Sequence, residues 1–390
     1  MVLKKADTIL ARFGEISLKS NKIRNRMINR LCENINAVLR ERDLDGEVYN
    51  KWSRVFIKDF EDLSETVRAV TEVPGVVSAS PCITVKPDIE EISAGLADMC
   101  EENFEGSTFG VDARRAGEKK DHDFSSPDIE ERAGSAIMER VDGIEVDLDN
   151  PDQWFFVECR KEKAFLFMNK YRGASGLPVG TEGKVVSLIS GGHDSPVAAY
   201  RMMRRGCQVI PVYFSFGEYS GVDLEIRTLK TIEALKKYAP NFDWDLRVVD
   251  MGEAMDVFME ELTNTRMVAI RRFMLKVAER IAEKEDARGI VTGESMGQKS
   301  SQTLGNLDLI SRSVDIPVFR PLLSFDKSEI IDMARNLGTF SSSKIEAGCT
   351  DVAPARPEVS GDTEKVLRME PDNIDRMVEK AVDKISLREV

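Results

Sequence analysis

The stretch SLISGGHDSPVAAY, residues 187–200, combines residue types that suit anion binding. Gly191 and Gly192 let the backbone approach a ligand closely, and the helix pattern that follows offers N–H groups at its positive end. The stretch has neither the lysine of a P-loop nor the third glycine of a dinucleotide-binding fingerprint. An acid such as Asp194 beside a phosphate requires a bridging Mg²⁺ ion or an orienting role. These residues therefore predict a phosphate site that differs from both common nucleotide motifs.

A parallel α/β sheet is the structure expected to position this stretch. The apolar run VVSLI, residues 185–189, predicts a buried strand directly before it. Strand patterns then alternate with helix patterns as far as GIVTGE, residues 289–294, and include a long helix at about 265–285. This alternation predicts a doubly wound parallel sheet, in which ligands bind at the carboxyl ends of the strands.

The first half of the chain has mixed helix and strand patterns instead. Residues 7–14 predict a strand, residues 21–42 a helix with one apolar face, and residues 48–60 a returning strand. Ser64 is the expected N-cap of the next helix, which ends before Pro74. We expect an α+β structure here.

The composition excludes several classes of protein. A chain of 390 residues, 42% of them hydrophobic, can form two or three domains with their own cores. No apolar run approaches the roughly 18 residues that cross a bilayer, and the N-terminus lacks a signal pattern, so we expect a cytoplasmic protein. Six cysteines without a CxxC pair, and two histidines, argue against zinc, iron–sulfur and Ser-His-Asp sites.

The charge distribution is uneven. The whole chain carries a net charge of −13, whereas residues 1–60 hold 13 Lys and Arg against 8 Asp and Glu. For a nucleic-acid partner we therefore expect a narrow basic path rather than a broad positive face.

The pattern Ser-Gly-Gly-x-Asp-Ser at residues 190–195 resembles the PP-motif of ATP pyrophosphatases, which cleave ATP to AMP and pyrophosphate. ARFGEISLKSNKIRN at 11–25, TGESMGQKSSQTLGNL at 292–307 and RPLLSFDKSEI at 320–330 extend the resemblance. Together they are similar to the tRNA 4-thiouridine synthase family, also called tRNA sulfurtransferases, in its short form without a rhodanese domain. The resemblance covers nearly the whole chain.

The resemblance implies an α/β protein whose doubly wound PP-loop ATP pyrophosphatase domain is preceded by α+β ferredoxin-like and THUMP domains. Residues 1–60 would form the N-terminal ferredoxin-like domain and residues 61–165 the THUMP RNA-binding domain. A Gly-rich linker at 166–184 would lead to the PP-loop domain at 185–390.

The resemblance also implies which residues contact ATP. Asp194 would act at the leaving pyrophosphate, with Mg²⁺ or by orientation, and Lys327 would neutralise phosphate charge. The alternative to an ATP contact is a place on a solvated helix face for Arg271 and a role as a turn glycine for Gly293. The ATP-binding residues carried over from the family are Leu188, Ile189, Ser190, Gly192, Ser195, Tyr213, Phe214, Arg271, Gly293 and Gln302.

Cys349, in the sequence IEAGCTDVAP, corresponds to the family cysteine that takes part in sulfur transfer. The implied reaction begins when O4 of uridine 8 in tRNA attacks the α-phosphate of ATP and pyrophosphate leaves. Sulfur from Cys349 then displaces AMP. We interpret the other five cysteines as packing residues, with Cys207 as a second candidate. Without a rhodanese domain, we expect the sulfur donor to be a persulfide-carrying protein or sulfide, and a role in thiamine thiazole synthesis stays open.

The amino-terminal half would bind tRNA. Two alternatives remain, namely another PP-loop enzyme that adenylates tRNA and a tRNA-binding protein with a vestigial ATP site. Intact Asp194, Lys327, Gln302 and Cys349 favour an active enzyme. A homodimer is left open. The candidate partners of RNA phosphates are Arg12, Lys19, Lys22, Arg24, Arg26, Arg114, Arg115, Lys119 and Lys120.

Overall fold

The computed structural model describes residues 3–219, 221–342, 352, 354, 356–359, 364, 366, 368 and 370–390, apart from the side chains of Lys119 and Val222. The chain divides into two compact units, Met1–Leu177 and Pro178–Val390. Each unit has its own sheet.

The described part of the first unit is an α+β structure on a nine-stranded sheet. Its elements are β1 Thr8–Arg12, α1 Asn21–Glu41, β2 Glu47–Lys51, β3 Arg54–Lys58, α2 Leu63–Glu72, β4 Ser78–Val85, α3 Ile89–Asn103, β5 Thr108–Arg115, α4 Ser126–Arg140, β6 Glu145–Val146, β7 Gln153–Cys159, β8 Ala164–Phe167 and β9 Tyr171–Arg172. The spatial order is β2-β3-β1-β4-β8-β7-β5-β6, and β9 also pairs with β4.

The four helices described in this unit lie on one face of the sheet. Alternate residues of β4 establish this, because Ala79 joins the core beneath α1 and α2, whereas Ile83 and Val85 pack with the core beneath α3 and α4. Cys82 points to the opposite face, which we call the aromatic face. Its buried cluster consists of Leu10, Phe56, Cys82, Phe165 and Phe167.

Two local details of this unit differ from the sequence predictions. Residues 48–60 form part of a hairpin rather than one strand, because Trp52 and Ser53 adopt φ angles of 52° and 56° and reverse the chain. Asp62 caps α2 in place of Ser64, since the Asp62 side chain accepts a hydrogen bond from the Glu65 N–H at 3.0 Å.

The sheet also bears on the domain boundaries expected from the sequence. β4 pairs with β1, and α2 shares a core with α1, so the sheet shows no break at residue 60. The segment 166–184, expected to be a linker, begins within β8 and contains the buried Leu177, where the two compact units divide. Its first part is therefore packed structure.

The described part of the second unit is a six-stranded sheet covered by helices on both faces. Its elements are β10 Lys184–Leu188, α5 Asp194–Met203, β11 Gln208–Ser215, α6 Val222–Lys236, β12 Leu246–Asp250, α7 Gly252–Glu261, α8 Arg266–Glu285, β13 Ala287–Val291, α9 Leu304–Ser311, β14 Val318–Phe319, α10 Lys327–Asn336, α11 Ile374–Asp383 and β15 Ser386–Arg388. The strand order is β14-β13-β10-β11-β12-β15.

This order confirms the predicted doubly wound parallel sheet. From β10 the chain moves outward to β11 and β12, and then returns to the other side of β10 with β13 and β14. The direction changes between β10 and β13, where such sheets form a ligand crevice at their carboxyl edge. β15 adds an antiparallel edge strand that the sequence patterns did not predict. No helix in the described part of the chain combines the length and apolar character needed to cross a bilayer.

Candidate active site

The glycine loop, residues 190–193, leaves β10 at the carboxyl edge of the sheet and turns into α5. Two serines close it. The Ser190 N–H donates to Ser195 Oγ at 2.9 Å, and Ser195 Oγ donates to the Ser190 carbonyl at 3.2 Å. The Gly192 N–H lies 3.4 Å from Ser190 Oγ. No side chain of a described residue caps α5, so N–H groups of its first turn can bind an anion.

Glycines bring other segments close to this loop. A Cβ on Gly293 would lie 2.7 Å from the Ser195 backbone nitrogen, so the chain after β13 packs directly on the start of α5. A Cβ on Gly191 would meet Arg227 Cβ at 2.6 Å, and Arg227 donates to the Gly191 carbonyl at 2.8 Å. Gly293, expected from the sequence to contact ATP, therefore has a close-packing role in the loop.

Gly192 differs, because the space beside it is open. Among the described residues, its Cβ would approach only Ser190 Oγ, at 3.5 Å. None of the packing contacts in the described part of the chain requires a glycine at this position. The open space adjoins the start of α5, where a phosphate group would lie.

Asp194 and His193 keep polar atoms without hydrogen-bond partners among the described residues. Asp194 Oδ1 and His193 Nε2 are buried and lie 3.4 Å apart. The described residues contain no group of three or more potential metal ligands. A single carboxylate oxygen at a phosphate loop nevertheless fits Mg²⁺, which commonly combines one or two carboxylates with phosphate oxygens and water.

The carboxyl ends of β10 and β11 lie next to the glycine loop. The Ile189 N–H donates to the Val212 carbonyl at 2.8 Å, and the Ser215 carbonyl accepts from the N–H of Met251, the residue directly after β12. Because backbone groups alternate along a strand, those of Phe214 point to the β10 side, beyond the end of β10. The side chains of Tyr213 and Phe214 are buried in cores on opposite faces. Of these two expected contacts with ATP, Phe214 can therefore offer backbone groups, whereas the backbone of Tyr213 points to β12.

Glu294 connects two arginines at the same edge. It is 3% exposed, and its Oε1 accepts from Arg271 Nη1 at 3.1 Å while its Oε2 accepts from Arg320 Nε at 2.7 Å. Thr292 Oγ1 also donates to Oε2, at 2.9 Å, and Arg271 Nε donates to Ser301 Oγ at 3.0 Å. We call Glu294, Arg271, Arg320 and Thr292 the Glu294 cluster. Arg271 is thus held by an acid rather than lying on a solvated helix face.

Gln302 and Lys327 are the remaining residues expected at the phosphates. Gln302 follows Ser301 and is buried, and its Oε1 has no donor among the described residues. Lys327 is the first residue of α10, which packs with α5 in the same core. Its side chain is exposed and forms no ion pair within the described part of the chain. It is therefore free to reach an anionic ligand.

Cys349, the expected sulfur carrier, lies outside the described residues. The other five cysteines have features of packing residues, because burial raises the pKa of each thiol, to about 11 for Cys32, Cys100, Cys159 and Cys207. Cys207 precedes β11 at its amino end, the edge of the sheet opposite the glycine loop.

The aromatic face of the first unit carries a second arginine cluster. Glu158 is buried, and its carboxylate lies 3.2 Å from Arg54 Nε and 3.8 Å from Arg12 Nε and also accepts from Arg160. Burial raises the pKa of Glu158, but the charges of the three arginines outweigh burial and leave it below its ordinary value. We call these four residues the Glu158 cluster.

Aromatic rings and another cation border this cluster. Lys170 Nζ lies 3.5 Å from the centroid of Phe156, and the Arg12 guanidinium lies 4.7 Å from the centroid of Phe167. Phe156 and Phe167 stack with centroids 5.2 Å apart. Positive charge and stacked rings on one face suit nucleic acid.

The other arginines and lysines suggested by the sequence have different surroundings. Arg24 donates to the Ser17 and Lys19 carbonyls, and Arg115 to the His122 carbonyl, so both stabilise local backbone. Lys120 pairs with Glu118. The exposed residues are Lys22, Arg26, Arg114 and Lys120, and the side chain of Lys119 is not described.

Sequence reasoning missed Arg54, Glu158, Arg160, Glu294 and Arg320 as functional candidates. Glu294 and Arg320 lie within the quoted family motifs, directly after strand patterns, and that position was the available signal. For Glu158 and its arginines the sequence offers no comparable signal.

Three protein-family models match the chain. The model described as thiamine biosynthesis protein (ThiI) matches residues 180–373, the ThiI ferredoxin-like domain matches residues 8–80, and the THUMP domain matches residues 86–169. The ferredoxin-like match includes β1 and the first three residues of β4, which pairs with β1 in the first sheet.

Similar proteins cover almost the whole chain. A probable tRNA sulfurtransferase of Halobacterium salinarum is 43% identical over 370 residues, which are 94% of this chain and 93% of that protein. A probable tRNA sulfurtransferase of Methanobrevibacter smithii is 37% identical over 390 residues, covering 97% and 99%. The crystal structure of a 4-thiouridine synthetase in complex with RNA and ATP superimposes with a TM-score of 0.84 at 27% identity, covering 99% of this chain and all of that one.

Proposed function

The chain belongs to the tRNA sulfurtransferase family, and on that premise we propose that it thiolates uridine 8 of tRNA with ATP as co-substrate. The observation that carries the proposal is the glycine loop. Among the described residues, the loop joins the open space at Gly192 to a helix start that no side chain caps and to an Asp194 oxygen that accepts no hydrogen bond. This arrangement accepts a pyrophosphate group and one metal ion. It suits cleavage of ATP between its α- and β-phosphates.

In the proposed adenylation, O4 of the uridine attacks the α-phosphorus, and the bond to the departing pyrophosphate breaks. Ser190, Gly192 and Ser195 bind the pyrophosphate, and the backbone at Leu188, Ile189 and Phe214 faces the adenine. When bound, Mg²⁺ would neutralise phosphate charge beside Asp194. Arg271 supplies a fixed positive charge and Lys327 a mobile one. Both would stabilise the negative charge that develops on the departing pyrophosphate.

In the second step a sulfur nucleophile attacks C4 of the uracil, and the bond from C4 to the adenylated oxygen breaks, which releases AMP. We assign the sulfur to sulfide, which is either supplied free or released from a persulfide on Cys349 when a thiol attacks the S–S bond and forms a disulfide. Support comes from the other five cysteines, whose thiols burial keeps protonated. Cys207 is further disfavoured by its place at the opposite edge of the sheet.

The first unit is proposed to hold the tRNA on its aromatic face. The Glu158 cluster and Lys170 supply more cations than anions there, and Phe156 supplies an accessible ring. Phosphate contacts from such residues position RNA, and a partly exposed ring such as Phe156 can contact an unpaired base.

The test incubates the full chain with unmodified tRNA, Mg-ATP and sulfide, and analyses nucleosides and nucleotides. We expect 4-thiouridine, with AMP and pyrophosphate as the other products. Failure to form 4-thiouridine with either sulfide or a persulfide donor, or release of ADP, would refute the proposal. Cys349→Ser should retain pyrophosphate release but lose persulfide-dependent thiolation, whereas the matched variant Cys207→Ser should keep both.

Gly192→Ala tests the ligand-binding role of the loop. The free protein can accommodate the added methyl group, whose nearest neighbour is 3.5 Å away, so thermal stability should change little. The methyl group would occupy the space assigned to phosphate, and the KM for ATP should rise about tenfold or more. Gly134→Ala is the matched control, because a Cβ there meets no atom within 4 Å and lies in α4. Equal KM values in the two variants would contradict the placement of ATP.

A further inference from the structure

We infer that Glu294 is a positioning residue that holds Arg271 and Arg320 as a pair beside the glycine loop, and that this pair binds a phosphate group of a substrate. The inference rests on the proposed function and assigns new roles to Glu294 and Arg320. Each oxygen of the Glu294 carboxylate accepts from a different guanidinium group, at 3.1 and 2.7 Å. One carboxylate thereby fixes two cations.

The charge of the cluster is not balanced among the described residues. Two arginines face one glutamate, which leaves one excess positive charge in a mostly buried setting. Arg320 Nη2 is buried and has no hydrogen-bond partner in the described part of the chain. A buried guanidinium donor without an acceptor is costly, so an anionic ligand is the missing partner that the geometry indicates.

The position of the cluster points to the same site as the glycine loop. Gly293, adjacent to Glu294, lies against the first residues of α5. Arg320 follows β14, which pairs with β13 in register Val291 to Phe319, and β13 pairs with β10. The cluster is therefore at the carboxyl edge beside the strand that leads into the loop.

A second arginine–glutamate pair shows what a balanced structural pair looks like on the same helix. Arg272 follows Arg271 in α8, and its guanidinium binds the Glu370 carboxylate and donates to the Leu309 carbonyl at 2.6 Å. One cation meets one anion there, and the two side chains anchor the helix to neighbouring chain. Both pairs are largely buried, but the Glu294 cluster has the unsatisfied donor.

Phosphate could come from ATP or from the tRNA backbone, and kinetics distinguish these sources. Glu294→Gln keeps the shape of the side chain but releases the two arginines, and Arg320→Gln removes one phosphate donor. Each should raise one substrate's KM by tenfold or more. A rise in the KM for ATP identifies ATP phosphate, and a rise in the KM for tRNA identifies RNA phosphate.

Glu370→Gln is the control for loss of a buried pair. It should lower the melting temperature and leave both KM values within twofold of wild type. The double variant Glu294→Gln/Arg320→Gln should have a KM no more than threefold above the worse single variant, because both changes act on one pair. If Glu294→Gln fails to fold, Arg320→Lys keeps the charge but loses the planar fork, and the tenfold rise is expected there.

The inference is overturned if the folded Glu294 and Arg320 variants keep both KM values within twofold and differ from wild type in stability alone, as Glu370→Gln does. Additive effects in the double variant would also overturn the positioning role. Absence of 4-thiouridine with the wild-type chain would instead refute the proposed function, so the two failures are distinguishable.

Discussion

The two units each bury a glutamate among arginines, but the two clusters have different surroundings. Glu158 lies on a sheet face that also carries Phe156, Phe167 and Lys170. Glu294 lies just past the end of a strand, beside a glycine that contacts the start of α5. The aromatic face around Glu158 is a broad surface with rings for stacking. The carboxyl edge around Glu294 is a narrow site next to the glycine loop.

The difference shows how one device can serve two tasks. In both clusters a carboxylate is outnumbered by guanidinium groups, which therefore keep net positive charge in a fixed geometry. Held arginines lose less conformational freedom on binding than free surface lysines do. On the aromatic face, the held arginines should increase affinity for RNA. At the carboxyl edge of the second sheet, they should stabilise binding of a substrate phosphate during the reaction.

The largest expected effect comes from Glu158→Gln, which leaves three arginines without their buried anion. Loss of one partner of a buried ion pair typically costs about 3 kcal/mol or more, so the free energy of unfolding should fall by that amount. Urea titration followed by tryptophan fluorescence measures it. Glu162→Gln is the control, because its pair with Lys51 is exposed and should contribute less than about 1 kcal/mol. A similar small loss in both variants would show that the Glu158 cluster is not organised by its carboxylate.

The same carboxylate predicts a pH dependence of stability. The pKa of Glu158 is lowered from its ordinary value of 4.5 in the folded protein, since the arginines outweigh the opposing effect of burial. Its stabilisation should be complete above about pH 5 and lost as pH falls through the lowered pKa. The difference in unfolding free energy between wild type and Glu158→Gln should therefore be constant from pH 5 to 7 and shrink below pH 4. A difference that grows on acidification would contradict the ion-pair assignment.

The sequence allowed the glycine loop and its strand to be placed because their signals are local. Apolar runs, adjacent glycines and a helix pattern lie within fifteen residues of one another. The family motifs added Asp194, Arg271 and Lys327, which lie on elements around the carboxyl edge. The doubly wound parallel sheet followed from the alternation of strand and helix patterns, which did not predict the order of its strands.

Other features could not be read from local signals. Glu158 meets Arg54 across 104 positions and Arg12 across a sheet, so their cluster exists through strand pairing. The hairpin between β2 and β3 reverses at Trp52 and Ser53, which take positive φ angles without glycine or asparagine. Glu294 lies within a family motif of the sequence, but its contacts with Arg271 and Arg320 depend on how α8 and the end of β14 pack around it.

Lys170→Ala should weaken tRNA binding three- to tenfold without changing the KM for ATP. The lysine ammonium lies over Phe156 on the aromatic face, and losing one phosphate contact should also reduce the slope of log affinity against log salt by about 0.9. Filter binding at several salt concentrations gives both values. Arg140→Ala removes the same charge from α4, on the helical side of the sheet, and should have no effect on either. Equal losses in the two variants would place the RNA elsewhere.

The smallest expected effects come from the hydroxyl groups that support each cluster, and they sharpen the contrast between stability and catalysis. Thr292 donates to Glu294 at 2.9 Å, and Ser80 accepts from Arg12 at 2.9 Å. Thr292→Val and Ser80→Ala each remove one hydrogen bond, so each should lower the free energy of unfolding by about 1 kcal/mol.

The functional effects of Thr292→Val and Ser80→Ala should differ, because Thr292 supports the edge beside the glycine loop. Thr292→Val should slow the rate of thiolation at saturating tRNA two- to fivefold. Ser80→Ala should weaken tRNA affinity by a similar factor and leave the rate at saturating tRNA unchanged. If Ser80→Ala slows the saturated rate as much as Thr292→Val does, the division of labour between the two clusters is wrong.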